Sequence, residues 1–310
     1  MTAPAVVVED LHVAYGKSWA LDGVDLEAAA GTTLGVLGHN GAGKTTLIRT
    51  LTTLVRPTIG RVQIGGLDVI TDADRVRRRI GVTGQYAGLD EFLTARENLE
   101  LIGRLTGLRR TAARARADAL IERLGLDEYA TRRVGELSGG SRRRIDLAAS
   151  LVGSPSVLFL DEPTTGLDPI ARAGLWDVVD ELTTAGTTVV LTTQYLEEAD
   201  RLADHIVVLA RGRVAARGTP AELKRIVGGK VLTATIPTGQ LAVLPFTPDT
   251  DRVDGDRVRV SVTVDDALAA TALVADLHRG GIDVTDLDVT SPSLDDVFTH
   301  LAHTTTGAHR

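Results

Sequence analysis

The chain has 310 residues, of which 43% are hydrophobic and 24% are charged. This composition is typical of a folded globular protein and excludes a disordered chain, while the length favours a main domain plus a smaller one. The formal net charge of −7 gives no electrostatic basis for nucleic acid as a principal partner. Because the chain contains no cysteine, disulfides and thiolate metal sites are excluded as well.

The sequence gives no sign of a membrane span or of a signal peptide. No apolar stretch reaches the roughly 18 residues that a transmembrane helix needs. The segment MTAPAVVVEDL lacks a basic start and meets two acids after a short apolar run. We therefore expect a cytoplasmic chain, which needs another subunit to span the bilayer if it serves a membrane process.

Short β-branched runs alternate with longer helical patterns along the first two thirds of the chain. The predicted strands are VVV (6–8), TTLGVL (32–37), RVQIGG (61–66), VLFLDEP (157–163), TTVVLTT (187–193) and HIVVLA (205–210). This alternation predicts an α/β fold with a parallel sheet covered by helices. Between about 94 and 152 the pattern is almost wholly helical, which indicates an α subdomain inserted into the α/β core.

The pattern changes after Gly228 and Gly229, where a small α+β domain is predicted. Its expected elements are strands at 231–236 and 257–264, a helix capped by Asp265 or Asp266 and ending near His278, a strand within 281–289, and a last short helix from about Ser293. We therefore expect a main domain at 1–227, with its helical subdomain at about 86–152. The small domain is placed at 228–303 and a frayed tail at 304–310.

The segment GHNGAGKTT fits the P-loop pattern G-x-x-x-x-G-K-[ST]. It follows a predicted strand and opens a helical pattern, so its backbone N–H groups can surround phosphates at a helix N-terminus. The predicted phosphate site comprises Gly38, His39, Asn40, Gly41, Ala42, Gly43, Lys44, Thr45 and Thr46. We expect Lys44 to reach the β and γ phosphates, and the Thr45 hydroxyl to bind Mg²⁺. The alternative is a glycine-rich turn. The chain has only four lysines against thirty arginines. A lysine at this position therefore favours the phosphate site, which needs a compact ammonium.

The strand VLFLDEP ends on two adjacent acids, Asp161 and Glu162. Successive strand side chains diverge, so one carboxylate can face a metal ion while its neighbour faces the terminal phosphate. In P-loop NTPases we expect Asp161 to hold Mg²⁺ and Glu162 to orient and deprotonate water. The alternative is a strand that runs into a solvated turn, and the preceding P-loop favours the catalytic interpretation.

The motif LSGGSRRR (137–144) lies between the P-loop and the acidic strand. This motif and its position resemble those of the ATP-binding-cassette (ABC) ATPases. The resemblance covers roughly residues 5–225. The resemblance implies an ABC cassette with a RecA-like parallel sheet core, an N-terminal antiparallel β region and an inserted helical subdomain. It also implies ATP and Mg²⁺ as ligands and a homodimer packed head to tail. In that dimer Ser138, Gly139 and Gly140 of one chain close over the ATP held by the other.

The same resemblance assigns roles to four residues outside these motifs. Tyr15 is similar to the aromatic that stacks on adenine, Gln85 to the glutamine that senses the γ-phosphate and Mg²⁺, and Asp168 to the acid that crosses to the second subunit. The alternatives are an ordinary strand aromatic, a solvated loop residue and a turn aspartate. Gln194 stands where most cassettes place histidine. We expect it to sense the phosphate without titrating near neutral pH, the alternative being a polar strand end before a helix.

The chain more closely resembles the drug-resistance branch of this family, typified by daunorubicin-resistance ATP-binding proteins. The segments that carry this resemblance are GHNGAGKTT, TGQYAGLDEFLTARENL, LTTQYLEEAD and SPSLDDVFTHLA. One departure is Ser141, where Gln or Met usually follows SGG. The resemblance implies an ATPase subunit, peripheral on the cytoplasmic face of the membrane, that drives efflux of a hydrophobic drug through a separate permease.

Three alternative functions stay open from the sequence. One is export of a glycan, lipid or ion. Another is a soluble cassette ATPase that acts on ribosomes or nucleic acid, against which a single P-loop, the lack of a long coiled-coil insert and the acidic balance all weigh. The third is a nucleotide-gated binding module without rapid turnover.

Overall fold

The fold is described from a computed structural model, in which residues 3–84, 88–227, 229–290, 293, 294 and 297 are described. The chain divides into two compact units, Met1–Thr219 and Pro220–Arg310. This division comes before the expected boundary after Val227, and it assigns the helix at 220–227 to the second unit.

The first unit contains two sheets. Its strands are β1 (Pro4–Tyr15), β2 (Ser18–Ala29), β3 (Thr33–Leu37), β4 (Ile59–Ile64), β5 (Leu67–Asp68), β6 (Ile80–Thr83), β7 (Val157–Asp161), β8 (Thr188–Thr193), β9 (His205–Ala210) and β10 (Arg213–Gly218). An antiparallel sheet has the order β2-β1-β4-β5. The second sheet has the order β10-β9-β3-β8-β7-β6, in which β9, β3, β8, β7 and β6 run parallel and β10 pairs antiparallel with β9. The predicted parallel core and antiparallel N-terminal region are confirmed.

The helices of the first unit cover the parallel sheet and form the insert. They are α1 (Lys44–Leu51), α2 (Ala73–Arg77), α3 (Ala95–Leu105), α4 (Arg110–Arg123), α5 (Gly139–Ser150), α6 (Pro169–Thr184) and α7 (Leu196–Leu202). Between β6 and β7 the described residues 88–152 form α3, α4, α5 and two short 3-10 turns, with no strand among them. Helix α3 begins at a capping box, in which Thr94 and Glu97 each bond the other's backbone N–H.

Alternating side chains of β7 divide the core between the two faces of the parallel sheet. Val157 and Phe159 pack with α1 and the antiparallel sheet, whereas Leu158 and Leu160 pack with the helical insert and α6. Successive strand residues point to opposite faces, so Asp161 lies on the same face as Phe159, toward α1. All five residues of β7 are buried, which fixes the direction of its last carboxylate.

The second unit is an α+β domain, as predicted. Its elements are α8 (Pro220–Val227), β11 (Lys230–Pro237), β12 (Asp249–Asp254), β13 (Arg257–Val264), α9 (Ala267–Arg279) and β14 (Thr285–Thr290). The four strands form an antiparallel sheet of order β12-β13-β11-β14. Its core includes Leu232 and Ile236 of β11, Val258 of β13 and Leu277 of α9.

Among the described residues, none of the helices is long and apolar enough to cross a bilayer.

Candidate active site at the edge of the parallel sheet

Three neighbouring parallel strands bring the sequence motifs to one edge of the sheet. β3, β8 and β7 lie side by side, so their carboxyl ends open on the same edge. Segment 38–43 follows β3, Gln194 follows β8, and Asp161 and Glu162 end β7. In open α/β sheets this edge is where ligands bind.

Two glycines shape the loop between β3 and α1. A Cβ at Gly38 would lie 2.6 Å from the carbonyl oxygen of Leu209 and 2.8 Å from Ala42 Cβ. Gly43, the N-cap of α1, has a φ of +109°, and a Cβ there would lie 2.7 Å from Leu21 Cδ2. The loop therefore requires both glycines for its own close packing, in addition to any approach of a ligand.

The ammonium of Lys44 joins the P-loop to the end of β7. The Lys44 side chain is 4% exposed, and its Nζ donates hydrogen bonds to the carbonyl oxygens of Gly38 at 2.7 Å and His39 at 3.3 Å. The same Nζ lies 3.2 Å from Glu162 Oε1. A buried ion pair needs further hydrogen bonds to satisfy the charge, and the two loop carbonyls supply them.

Thr192 of β8 holds the two acids at the end of β7. Its Oγ1 donates to Asp161 Oδ1 at 2.5 Å and accepts from the backbone N–H of Glu162 at 3.1 Å. Glu162 has a φ of +51°, in the left-handed region that residues other than glycine rarely adopt. This turn places the Glu162 carboxylate beside Lys44, while Asp161 stays buried at the strand end.

A cleft of about 480 Å³ lies over the P-loop, a volume within the usual range for small-ligand sites. It is lined by Trp19, Ala20, His39, Asn40, Gly41, Gly43, Lys44, Thr45, Thr46, Glu162, Arg211 and Gly212. Most of the predicted phosphate-site residues therefore share one cleft with Glu162.

Trp19 and Arg211 line this cleft although the sequence did not single them out. Trp19 on β2 lies opposite Ala14 in the β1–β2 hairpin, whereas Tyr15, the predicted adenine partner, is half-exposed and outside the lining. The signal that could have identified Trp19 is its position in the sequence, as a second aromatic close to Tyr15. Arg211 lies in the turn between β9 and β10. The sequence alone does not distinguish an arginine that lines a cleft from a solvated arginine in such a turn.

The SGG segment opens helix α5 and is not among the residues that line the P-loop cleft. Ser138 is the N-cap of α5: its Oγ accepts from the backbone N–H of Ser141 at 3.2 Å and lies 2.9 Å from Ser141 Oγ. Gly139 lines a second cleft, which also contains Glu162, and Gly140 follows in the first turn. Within the described residues, Gly139 and the P-loop therefore line two clefts that share Glu162.

The remaining predicted residues lie at turns or outside the described part of the chain. Asp168 is the N-cap of α6, where its Oδ1 accepts from the backbone N–H of Ala171 at 2.8 Å. Gln194 is exposed directly after β8 and is not among the residues that line the P-loop cleft. Gln85 lies outside the described residues. The roles assigned to these three residues stay predictions.

A buried ion pair on α5 adjoins the turn at 161–163, here called the acidic turn because it carries Asp161 and Glu162. Arg143 Nη1 is 3.8 Å from Asp146 Oδ2, and Asp146 Oδ1 accepts from the backbone N–H of Gly88 at 3.3 Å. Burial raises the pKa of Asp146 to about 6, although the charge of Arg143 opposes this rise. Burial also lowers the pKa of Arg143. Asp146 is therefore ionised at neutral pH and takes up a proton under mildly acidic conditions.

Two protein families match parts of the chain, and curated relatives match it over most of its length. The family described as ABC transporter matches residues 21–165, and the one described as ATP-binding protein DrrA1-3-like, C-terminal domain, matches residues 218–302. The daunorubicin resistance ATP-binding protein DrrA3 of Streptomyces coeruleorubidus is 52% identical, over 97% of this chain and 96% of the relative. The Nod factor export ATP-binding protein I of Ralstonia nicotianae is 42% identical, over 72% of this chain and 69% of the relative.

Solved structures extend the comparison. A dimeric post-hydrolysis state of an ATP-binding cassette bound to ADP and Pi matches with a TM-score of 0.63 and 27% identity, over 69% of this chain and 98% of that one. An ATP-binding subunit of an ABC transporter matches with a TM-score of 0.66 and 28% identity, over 72% and 92%. The fold and the site define an ATPase of the cassette type. The chain belongs to the ATP-binding proteins of ABC transporters, within the daunorubicin/doxorubicin-resistance subfamily.

The raised pKa of Asp146 predicts a pH-dependent loss of stability. The folded chain binds this proton more tightly than the unfolded chain, so protonation of Asp146 stabilises the fold. This stabilisation is fully present below about pH 4 and is lost as pH rises through about 6. Relative to Asp146→Asn, the wild type should lose about 3 kcal/mol of unfolding free energy between these limits. Urea denaturation across this range measures the difference, with Asp177→Asn at an exposed carboxylate as the charge control. A pH-independent difference between wild type and Asp146→Asn would contradict the assignment.

Proposed function

We propose that the chain is the ATP-binding and ATP-hydrolysing subunit of a drug exporter. In this proposal ATP hydrolysis in a head-to-tail dimer drives efflux of a hydrophobic drug through a separate membrane permease. The observation that carries the chemistry is the 3.2 Å contact between Lys44 and Glu162 within one cleft. The substrate class is supported by near full-length similarity to daunorubicin and doxorubicin resistance proteins.

The residues of the P-loop cleft fit the phosphates of ATP. The N-cap Gly43 gives α1 no side-chain cap, so the N–H groups of its first turn are available to an anion at the positive end of the helix. The Lys44 ammonium already binds oxygen atoms here, and phosphate oxygens can replace the loop carbonyls. We assign the adenine to the aromatic side of this cleft, with Trp19 or Tyr15 as the stacking residue.

The same cleft offers hard oxygen ligands for Mg²⁺. The Asp161 carboxylate lies at the buried end of β7, and the Thr45 hydroxyl lines the cleft. Carboxylate and hydroxyl oxygens are the ligands that Mg²⁺ prefers. We propose these two residues, together with Gln85, as its protein ligands. Bound Mg²⁺ would supply positive charge to the β and γ phosphates.

Glu162 is proposed as the general base. Lys44 and Glu162 neutralise one another across 3.2 Å, so a phosphate that attracts the ammonium competes directly with the carboxylate. We propose that this exchange frees Glu162 to accept a proton from water. Thr192 keeps the backbone of Glu162 in place while its side chain changes partner.

The separation of the two clefts supports a head-to-tail dimer. Gly139 lines a different cleft from the P-loop of its own chain, which favours a second chain as the source of the Ser138, Gly139 and Gly140 that close over the bound ATP. Asp168 is exposed at the start of α6, where we propose that it contacts the partner subunit. ATP binding then closes the dimer and hydrolysis reopens it, at the cytoplasmic face of the membrane beside the permease.

A second candidate substrate is a Nod factor. It is favoured by the 42% identity to the Nod factor export protein, which covers 72% of this chain. The drug is the preferred substrate because the second unit matches the DrrA1-3-like C-terminal domain over residues 218–302.

Transport is tested by expressing the chain with and without a candidate permease, which would be a neighbouring reading frame that carries about six hydrophobic spans. Co-expression should lower the cellular accumulation of daunorubicin, and a subunit carrying Glu162→Gln should not. Unchanged accumulation with both wild-type subunits present would contradict drug export for this compound.

Glu162→Gln should separate ATP binding from hydrolysis. The amide keeps the shape of the side chain but cannot accept the proton of water, so ATPase activity should fall by about a hundredfold or more. The variant also removes the carboxylate that competes for Lys44, so the dissociation constant for ATP should not rise. Equilibrium binding and steady-state ATPase assays measure the two effects, and near-wild-type turnover would refute the assigned role.

Gln194→His should introduce a titration that the wild type lacks. An amide stays neutral at every physiological pH, whereas an imidazole changes charge near pH 6.5. If Gln194 contacts the phosphate, the ATPase pH profiles of wild type and variant should diverge between about pH 5.5 and 8. Superimposable profiles would count against a phosphate contact at this position.

A further inference from the structure

The guanidinium of Arg143 binds the backbone of the turn that carries both acids. From helix α5, Arg143 Nη2 donates to the carbonyl oxygens of Asp161 at 3.0 Å and Glu162 at 3.1 Å. Its Nε donates to the carbonyl oxygen of Pro163 at 2.9 Å, and its Nη1 donates to that of Gly84, just beyond β6. The planar Arg143 guanidinium thus binds three consecutive carbonyl oxygens of the acidic turn and a fourth just after the neighbouring strand β6.

Asp146, on the same helix, lies beside Arg143 as its buried counter-ion. The two side chains lie one helical turn apart, with 3.8 Å between Nη1 and Oδ2. Asp146 is 5% exposed and also accepts from the backbone N–H of Gly88. The pair therefore connects α5 with both the acidic turn and the chain that follows β6.

The turn at Glu162 needs this support because its backbone is strained. A non-glycine residue with a φ of +51° persists only when its surroundings over-determine it. Thr192 holds the N–H side of Glu162, and Arg143 holds its carbonyl side by a charge-assisted hydrogen bond. The direction of the Glu162 carboxylate thus depends on contacts from β8 and from α5.

The two neighbouring arginines of α5 also bind backbone carbonyls, but not those of the acidic turn. Arg142 binds the carbonyls of Val134 and Gly135, and Arg144 binds the carbonyl of Leu124 at 2.7 Å. These acceptors all belong to the helical insert. Arg143 therefore differs from Arg142 and Arg144 in what it contacts, although all three are partly buried in the first half of α5.

We propose that Arg143 is a positioning residue for Glu162, through which helix α5 sets the orientation of the general base. The proposal rests on the function proposed above, because it requires Glu162 to be that base. Helix α5 also begins at the SGG segment, so a displacement of α5 would be transmitted to Glu162 through the Arg143 guanidinium.

Arg143→Met tests the proposal because methionine keeps much of the length and loses every donor. We expect kcat for ATP hydrolysis to fall by about tenfold or more, while the dissociation constant for ATP changes by less than about threefold. Arg144→Met on the same helix is the matched control and should keep kcat within about threefold of wild type. A wild-type kcat in Arg143→Met would overturn the proposal.

Combination with Glu162→Gln distinguishes positioning from general support of the fold. If Arg143 acts through Glu162, adding Arg143→Met to Glu162→Gln should change the residual rate by less than about threefold. An equal fall in both backgrounds would show that Arg143 acts independently, and the proposal would be wrong. If Glu162→Gln alone hydrolyses ATP at the wild-type rate, the proposed function of Glu162 fails instead.

Arg143→Lys provides the test if Arg143→Met does not fold, as judged by circular dichroism. Lysine keeps the charge beside Asp146 but cannot present a planar fork to three carbonyls. We expect kcat to fall by about threefold or more with unchanged ATP affinity. A wild-type kcat in a folded Arg143→Lys variant would overturn the proposal as well.

Discussion

The site depends on the parallel pairing of β3, β8 and β7. This pairing brings the P-loop and the acidic turn, which are far apart in the sequence, to one edge of the sheet. The burial of β7 fixes the side on which Asp161 emerges. Lys44, at the first position of α1, then lies 3.2 Å from Glu162. Every chemical role proposed for this chain presupposes that contact between the loop after β3 and the end of β7.

Glu162, the proposed general base, is held by groups from three separate elements. Thr192 of β8 binds its backbone N–H, Arg143 of α5 binds its carbonyl, and Lys44 of α1 binds its carboxylate. The first two contacts fix the backbone, whereas the ion pair can be exchanged when phosphate competes for the ammonium. A rigid backbone with an exchangeable side-chain partner suits a base that must act only beside bound nucleotide.

The sequence predicted the parts of the site that are encoded by contiguous residues. The P-loop and the acid pair are local patterns, and their strand and helix contexts follow from periodicity. The partnership of Arg143 with the acidic turn was not predicted, because it depends on how the helical insert packs against the core. Strand β2 was missed since SWALDGVDLEAA contains few β-branched residues, and Trp19 was missed with it. Ser141 departs from the family pattern, and its hydroxyl bonds Ser138 within the N-cap.

ATP is proposed to bind in the P-loop cleft through the Lys44 ammonium. The most direct test is the equilibrium dissociation constant for ATP of the wild type, of Lys44→Met, and of Lys224→Met in the second unit as a control. A charge-assisted hydrogen bond of about 1.5–3 kcal/mol corresponds to a weakening of about tenfold or more for Lys44→Met alone. Equal affinities in all three proteins would contradict the account.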